Sequence, residues 1–244
     1  MNDDDSGAPI GDPDSFGNTS KRLVVPLFPL PNVVLLPKAV LPLHIFEERY
    51  KAMTRDALAS DRLIAMALLR PGWEKSYYSR PAIEPAVCVG RIVSSEELPD
   101  GRFNFLLQGI MRARVVHELP GAAEGGDWSK PYRAAVLHPL EERVSDQDTV
   151  DAGRDALHLL FAESALGQTP IGKKFAALTQ SGLSTADLAD LVAYNFLEDI
   201  AVKQQLLGEP DLSRRLPALV EALGVAMRPA VSASIRMFKR PGLN

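Results

Sequence analysis

The chain has 244 residues, of which 46% are hydrophobic and 24% charged, an ordinary composition for a globular protein of one large domain or two small ones. Its net charge of −4 supplies no overall basic field that would attract nucleic acid, and its single cysteine, Cys88, excludes an internal disulfide and a cysteine metal cluster. The start has no signal-peptide pattern and no apolar run approaches the roughly 20 residues that cross a bilayer, so we expect a cytoplasmic protein without membrane contact.

The first twenty residues form a distinct segment. They contain five aspartates, no basic residue, and otherwise mostly small or polar side chains. Such a segment has little apolar surface to bury, so we predict that residues 1–20 are a disordered acidic tail. Beyond it, the period of the apolar residues changes near residue 140. We therefore expect a β-rich part over residues 21–140 and a helical part over residues 141–244.

Five prolines punctuate the apolar segment that follows the tail, at positions 26, 29, 31, 37 and 42. Because proline cannot donate a backbone hydrogen bond, this segment predicts short strands and extended links at a sheet edge. At Phe46 the period changes. Phe46, Tyr50, Met53 and Ala57 are spaced by four, three and four residues, which predicts an amphipathic helix.

The next strand candidates are short and apolar. Residues 63–69 form one, and residues 86–93 read as a strand covered on both faces. Pro99-Asp100-Gly101 supplies hairpin turn chemistry, after which Phe103, Phe105 and Leu107 alternate onto one face. Gly109 predicts a kink or bulge in this strand, and residues 132–137 form the last candidate.

From about residue 146 the period is helical throughout. Three apolar stripes predict three amphipathic helices, and Ser184 with Asp187 three residues later predicts a helix start. The stripes are Val150, Leu157, Leu160 and Phe161; Leu188, Leu191, Val192 and Phe196; and Leu212, Leu216, Leu219, Val220 and Leu223. Strands followed by helices predict an α+β fold of two subdomains.

Several short stretches, in order, resemble a known family. They are Pro42-Leu-His-Ile-Phe-Glu47 with Arg49-Tyr50, Val89-Gly-Arg-Ile-Val93, Leu98-Pro-Asp-Gly-Arg-Phe-Asn104, Leu106-Leu-Gln-Gly109, and Lys203-Gln-Gln-Leu-Leu207 followed by Asp211-Leu212 and Arg215-Leu216. Over about residues 22–223 the chain is similar to the Lon N-terminal domain, which precedes the ATPase and peptidase of Lon proteases. The resemblance implies a PUA-like β pseudo-barrel with one helix, followed by an α-helical bundle. Because the sequence ends at Asn244, we expect a stand-alone form without ATPase or peptidase domains.

Candidate catalytic patterns give no convincing site. Gly167 to Lys174 approaches a phosphate-binding loop, but position 174 is lysine where Ser or Thr is needed, and the preceding stretch is helical in period. His44 and Cys88 could be imagined as a base and a nucleophile with Glu47, yet both lie in apolar strands, which favours packing. The serine–lysine dyad of Lon belongs to a peptidase domain not present in this sequence. We therefore predict no catalytic residue, no metal site and no cofactor.

Four arginines, Arg91, Arg102, Arg112 and Arg114, could form a basic stripe on one face of the sheet. PUA-like folds can bind RNA, so RNA binding is one alternative function. Acidic residues flank the stripe and no aromatic residue alternates with the arginines, which favours a solvated face instead. We therefore do not expect nucleic acid as a partner.

An aromatic loop is the best recognition candidate. Trp73, Tyr77 and Tyr78 lie in the irregular stretch 70–85 and could form a polypeptide-binding edge, because aromatic side chains are enriched in binding hot spots. The same three residues could instead cap the core. The resemblance implies a non-catalytic module that binds unfolded or exposed apolar polypeptide, or docks to another protein, and that works with a separate ATP-dependent protease. The competing hypothesis is a Lon-like hydrolase, which would require a Ser or Cys beside one of the four histidines.

Overall fold

The computed structural model describes residues 23–77, 79–121, 125–126, 128–163 and 165–226. The predicted acidic tail therefore lies outside the described residues. Along the chain, the six strands come first, with one α-helix between the second and third strands, and the other α-helices follow. Their bounds are β1 Leu23–Leu30, β2 Val40–Ile45, α1 Glu48–Leu58, β3 Leu63–Leu68, β4 Ala86–Glu97, β5 Phe103–Glu118, β6 Ala134–Pro139, α2 Gln147–Glu163, α3 Pro170–Thr179, α4 Thr185–Phe196, α5 Ile200–Gly208 and α6 Leu212–Ala226. This order confirms the predicted α+β class.

The strands form one six-stranded sheet in the order β2-β5-β4-β3-β1-β6, with a further pairing between β5 and β6. The sheet thus curves round into the predicted pseudo-barrel, and β2 lies outside it along the first half of β5. Its interior holds small and branched side chains, as the narrow space between strands requires. They are Val25, Leu27, Leu63, Ala65, Ala67, Val87, Val89, Ala113, Ala135 and Leu137.

The position of β1 differs from the expected sheet edge, because β1 lies between β3 and β6. Two prolines are tolerated there because each half of the strand has one partner. Residues 23–26 pair with β6, and residues 27–30 pair in parallel with β3. Pro26 and Pro29 therefore each have a partner strand on one side only. Their missing N–H groups interrupt one ladder of backbone hydrogen bonds at most.

The irregularity predicted at Gly109 is present. The β4–β5 register shifts so that Val89 pairs with Met111 while Gly90 pairs with Gly109. At the same place, the segment before β2 crosses β5, and the amide of Lys38 donates to the Gly109 carbonyl over 2.8 Å. A Cβ atom at Gly109 would overlap the carbonyl oxygen of Leu36. This close approach, which only glycine permits, is what brings β2 alongside β5.

Helix α1 buries three of the four residues predicted to form its stripe, namely Tyr50, Met53 and Ala57. Phe46 was expected in the same stripe and is 63% exposed instead. The reason is that the helix begins at Glu48, so Phe46 precedes the cap residue and does not follow the helical period. The predicted buried role of Phe46 is therefore wrong.

Helix α4 begins where its sequence predicts. The Ser184 hydroxyl accepts from the amide of Asp187 at 3.1 Å and caps α4, and the Asp199 carboxylate caps α5 in the same way. All three predicted stripes face inward, with Leu157, Leu188 and Leu216 completely buried. No helix among the described residues is long and apolar enough to span a bilayer.

Buried ionic groups join the strands to the helices. Arg112 of β5 donates to the carboxylate of Asp190 on α4, and both side chains are nearly inaccessible. Arg215 of α6 lies 3.8 Å from the same carboxylate and donates to Glu142 at 2.7 Å. Burial raises the pKa of Asp190, and the charges of Arg112 and Arg215 oppose that rise. Arg112 was expected on a solvated face, and this expectation is wrong because α4 covers that face.

One apolar core extends through both parts of the chain. It includes the outer faces of the strands, such as Cys88 and Ile92, the inner side of α1, and the buried stripes of α2, α4 and α6. The link between the two parts is also held in place, since Arg143 and Pro210 are joined by a backbone hydrogen bond of 3.1 Å. The division into residues 21–140 and 141–244 stays a prediction, tested below by proteolysis.

Candidate functional site

The aromatic loop begins where β3 ends and returns to the start of β4. Backbone hydrogen bonds close its base, from Arg70 to the Ala82 carbonyl at 2.9 Å and from Glu84 to the Leu68 carbonyl at 2.8 Å. One turn of 3₁₀ helix, Trp73–Ser76, follows Gly72 and presents its side chains away from the barrel interior. The loop therefore projects from the sheet, and these hydrogen bonds fix its base.

Tyr77 anchors the loop to the start of α1. Its hydroxyl donates to Oε1 of Glu47 at 2.7 Å, and Arg49 donates to the other carboxylate oxygen of Glu47 at 3.0 Å. Arg49 also lies between two rings, 4.8 Å from the centre of Tyr77 and 4.6 Å from that of Tyr50. These contacts combine hydrogen bonding with cation–π attraction, so they hold the tyrosine ring in one orientation.

Burial raises the pKa values of both tyrosines of this cluster, Tyr50 and Tyr77. It raises the pKa of Tyr50 to about 12, and it raises the pKa of Tyr77 with help from the neighbouring Glu47 carboxylate. Both hydroxyls are therefore neutral at physiological pH. The Tyr77 hydroxyl acts as a hydrogen-bond donor to Glu47, which is a structural role and not an acid–base one.

Trp73 is half-buried and meets Tyr77 edge to face, with ring centres 5.5 Å apart. One ring thus supports the other while part of each stays accessible. Tyr78, the third residue of the predicted site, lies outside the described residues. Phe46 adds an aromatic side chain that sequence reasoning assigned to the core, and it immediately precedes the anchoring Glu47. The exposed apolar surface of Phe46 suits contact with apolar side chains of another polypeptide.

A pocket of about 390 Å³ lies beside the loop. Arg49 and Tyr50, from the cluster that anchors the loop, line part of this pocket. Its walls combine aromatic rings with cationic side chains, which neighbouring carboxylates hold in place. Tyr132 donates to Asp56 at 2.6 Å, and Glu118 accepts from Arg133 at 2.8 Å. The remaining lining includes Pro29, Ser79, Arg80, Gly121, Trp128, Lys130 and Pro131.

A second concavity, of about 780 Å³, lies between the strand ends and α5. Leu68, Leu69 and Pro71 line one side of it, and Pro71 is two residues before Trp73. Gln204 of α5 lines the other side and donates to the carbonyl of Ala86 at 2.9 Å. The groove and the aromatic loop are therefore neighbours along the chain.

The imagined catalytic pair is not assembled. His44 bonds to Asn104 at 2.7 Å and lies 3.3 Å from Arg102, while Cys88 is completely buried on another strand. Burial also raises the pKa of the Cys88 thiol far above its ordinary value, which disfavours the thiolate. His158 contacts the hydroxyl of Thr179 at 2.8 Å, but that hydroxyl is buried and donates to the Ala176 carbonyl.

Neither the phosphate-loop pattern nor a metal site takes shape in the described part of the chain. The pattern spans the turn before α3 and the first residues of α3, where Thr169 caps the helix by accepting from the amide of Gly172 at 3.0 Å, so these residues form a helix–loop–helix connection. No group of three metal-ligating His, Cys, Asp or Glu side chains occurs among the described residues.

The four arginines do not share one surface. Arg112 is buried against Asp190, Arg102 bonds to Asp100 in the β4–β5 turn, and Arg91 donates to the carbonyl of Asp61 at 3.2 Å. Arg114 lines the groove beside α5. A continuous positive stripe of the kind that tracks a nucleic-acid backbone is therefore not formed by these residues.

Together these features define a class of protein: a β pseudo-barrel with an aromatic surface loop, joined to a helical bundle through a common core. A family model described as the ATP-dependent protease La (LON) substrate-binding domain matches residues 24–224. The chain therefore belongs to the Lon substrate-binding domain family.

Known relatives agree with this assignment. The chain is 27% identical over 193 residues to a Lon protease of Dictyoglomus thermophilum, covering 79% of this chain and 23% of that protein. It is 29% identical over 206 residues to Lon protease 2 of Herpetosiphon aurantiacus, covering 83% of this chain and 24% of that protein. The chain thus spans about a quarter of the length of these relatives.

Solved structures show the same fold. The N-terminal domain of Mycobacterium avium complex Lon protease is similar with a TM-score of 0.64 and 18% identity, covering 83% of this chain and 98% of that one. A Lon N-terminal domain protein from Xanthomonas campestris is similar with a TM-score of 0.53 and 23% identity, covering 82% of this chain and 98% of that one.

Proposed function

We propose that this chain is a non-catalytic polypeptide-recognition module that binds unfolded or exposed apolar segments through the loop of Trp73, Tyr77 and Tyr78. The observation that carries the proposal is the half-buried Trp73–Tyr77 pair, held on the Glu47–Arg49 anchor at the surface of a Lon substrate-binding domain. Aromatic rings held in a fixed orientation lose little entropy on binding, so they favour contact with a flexible client.

The groove beside α5 extends this surface. An extended client could place one apolar side chain against Trp73 and others against Leu68 and Pro71. Part of the proposal is that bound clients pass to a separate ATP-dependent protease in the cytoplasm. His44 is bonded to Asn104 and His158 to the buried hydroxyl of Thr179, and these contacts favour a non-catalytic role for both histidines.

The test is binding of a fluorescently labelled, permanently unfolded protein to wild type and to Trp73→Ala. We expect the affinity to fall by about 2 kcal/mol, roughly thirtyfold in Kd, because a hot-spot aromatic is lost. Leu159→Ala is the matched control, since Leu159 is 53% exposed on α2, away from the loop. Equal affinity of wild type and Trp73→Ala would remove the loop from the binding surface.

The competing hydrolase hypothesis is tested on the same preparations. Purified protein should show neither ATP turnover nor cleavage of casein above a buffer control. Cleavage that disappears in Cys88→Ala or in a serine variant would establish an enzyme instead.

A further inference from the structure

A groove of about 730 Å³ lies on the helical part of the chain, between the end of α4, the start of α5 and the last two turns of α6. It is separate from the aromatic loop, which belongs to the connection between β3 and β4. The groove is mainly apolar, lined by side chains that include Phe196, Leu197, Val202, Ala218, Ala222 and Val225. Val225 is 62% exposed, so apolar surface is open to a partner here.

The charged residues in the groove lining are all acidic. Glu198, Asp199 and Glu221 lie in the lining, and no Lys, Arg or His is found there. None of the three forms an ion pair with another described residue. The Asp199 carboxylate accepts from the amides of α5, which leaves its charge in place. Lys203 lies outside the lining and donates to the Tyr194 carbonyl at 3.0 Å, and the charge of Glu198 opposes the burial that lowers the Lys203 pKa.

We propose that this groove binds a basic, apolar polypeptide segment, with its apolar side chains on the groove floor and its Lys or Arg side chains beside the three carboxylates. The negative charge of the groove lining determines which kind of partner can bind. Phosphate-bearing partners, including nucleic acids and anionic membranes, would meet carboxylates and be repelled. A neutral apolar segment would fill the floor but leave the carboxylates without partners, so it would bind less well.

The test uses two labelled helical peptides with the same apolar residues, one carrying lysines and the other glutamates on its polar face. We expect the lysine peptide to bind wild type and the glutamate peptide to bind much more weakly. Glu198→Gln/Glu221→Gln should lower the affinity for the lysine peptide about fivefold, as surface ion pairs do. Raising the salt concentration should narrow the difference between wild type and this variant.

Glu96→Gln/Glu97→Gln is the matched control, because it removes the same charge from an exposed part of β4. Val225→Ser should weaken both peptides without unfolding the protein, since this side chain is largely exposed. Equal binding of the two peptides, or an equal loss in the β4 control, would overturn the proposal.

The chain itself contains a segment of the required composition. Residues 227–244 include Arg228, Arg236, Lys239 and Arg240, six large apolar residues, and no Asp or Glu. A variant ending at Ala226 therefore belongs in the experiment. Unchanged affinity for the lysine peptide supports a separate partner. A marked rise in affinity would show that the chain's own segment competes for the groove, and would overturn the assignment to a partner.

Discussion

At the scale of single residues, the anchoring of the aromatic loop depends on one hydroxyl group. Tyr77 donates to Glu47, which also holds Arg49 against the ring. Sequence spacing could suggest that Tyr77 is important, but not this partner, because the two residues are thirty positions apart. We therefore expect Tyr77 to contribute to stability and Trp73 to be the better probe of binding.

Tyr77→Phe should lower the free energy of unfolding by about 1–2 kcal/mol, because a hydrogen bond to a charged carboxylate is lost. Urea denaturation at pH 7 measures this change. Tyr194→Phe is the control, since the Tyr194 hydroxyl makes no hydrogen bond to a described residue, and it should be close to neutral. Identical midpoints for Tyr77→Phe and wild type would mean that the loop is not anchored through this bond.

Gly109 offers a second prediction at this scale. Gly109→Ala places a methyl group against the Leu36 carbonyl, so it should cost about 3 kcal/mol through overpacking against a fixed backbone. Gly224→Ala is a matched control within α6, where nothing lies within 4 Å of the added atom. That change should instead stabilise the protein by about 0.5–1 kcal/mol. Thermal melts of both variants would reveal whether the crossing at Gly109 tolerates a side chain.

At the scale of elements, Glu118 joins the end of β5 to the chain before β6 and to the aromatic loop. It accepts from Arg133 at 2.8 Å and from Arg80 at 3.2 Å. Burial alone would raise the pKa of Glu118, but the two guanidinium groups outweigh it and the pKa is lowered. The ionised carboxylate is therefore favoured in the folded state.

This lowered pKa predicts a pH dependence of stability. The contribution of Glu118 is complete above its unfolded pKa of about 4.3 and is lost as the pH falls through the lower, folded pKa. Glu118→Gln should therefore have a lower free energy of unfolding than wild type at pH 7. This gap between the two proteins should narrow below about pH 4. Urea unfolding across this pH range measures the gap. Glu97→Gln on β4 should give no such trend, and a constant gap for Glu118→Gln would contradict the assignment.

The elements also show where sequence patterns stop being informative. Ala113 lies inside the barrel and the adjacent Arg112 outside it, as alternation along a strand requires. It could not reveal that α4, almost eighty residues later, covers Arg112 and supplies Asp190. Periodicity identified the buried stripes of α2, α4 and α6, but Phe46 fitted the period of α1 while lying before its cap. Local patterns report which face a residue is on, whereas long-range packing decides what covers that face.

At the scale of the whole molecule, the Arg112–Asp190–Arg215 cluster holds the strands and the helices together. Asp190→Ala would leave two buried guanidinium groups beside an empty site, so it should lower stability by about 3–5 kcal/mol. Arg112→Leu/Asp190→Leu should recover a substantial part of this loss, because both charges of the pair are removed together. Chemical denaturation of wild type, Arg112→Leu, Asp190→Leu and the double variant completes a double-mutant cycle and measures the coupling. Simple additivity would argue against a coupled pair.

The same cluster bears on the predicted division near residue 140. In wild type, the link is held by Arg143, Glu142 and the start of α6, so a protease should cut it slowly. Asp190→Ala should speed cleavage within residues 139–147 and release a β-rich fragment and a helical fragment. Mass spectrometry of the digest identifies the sites. Fragments that end elsewhere would show that the two parts are divided differently.

The pairing of β1 with β6 has a consequence for how the chain is made. Leu23 pairs with Leu137, so the first strand emerges from the ribosome roughly 110 residues before its antiparallel partner, on the order of ten seconds earlier. During that interval β1 is an apolar strand with no β6 beside it. Pro26 and Pro29 remove two of its backbone donors. Until β6 has been synthesised, β1 is therefore a poor template for pairing with another nascent chain. The prolines that mark this segment in the sequence thus protect it before folding is complete.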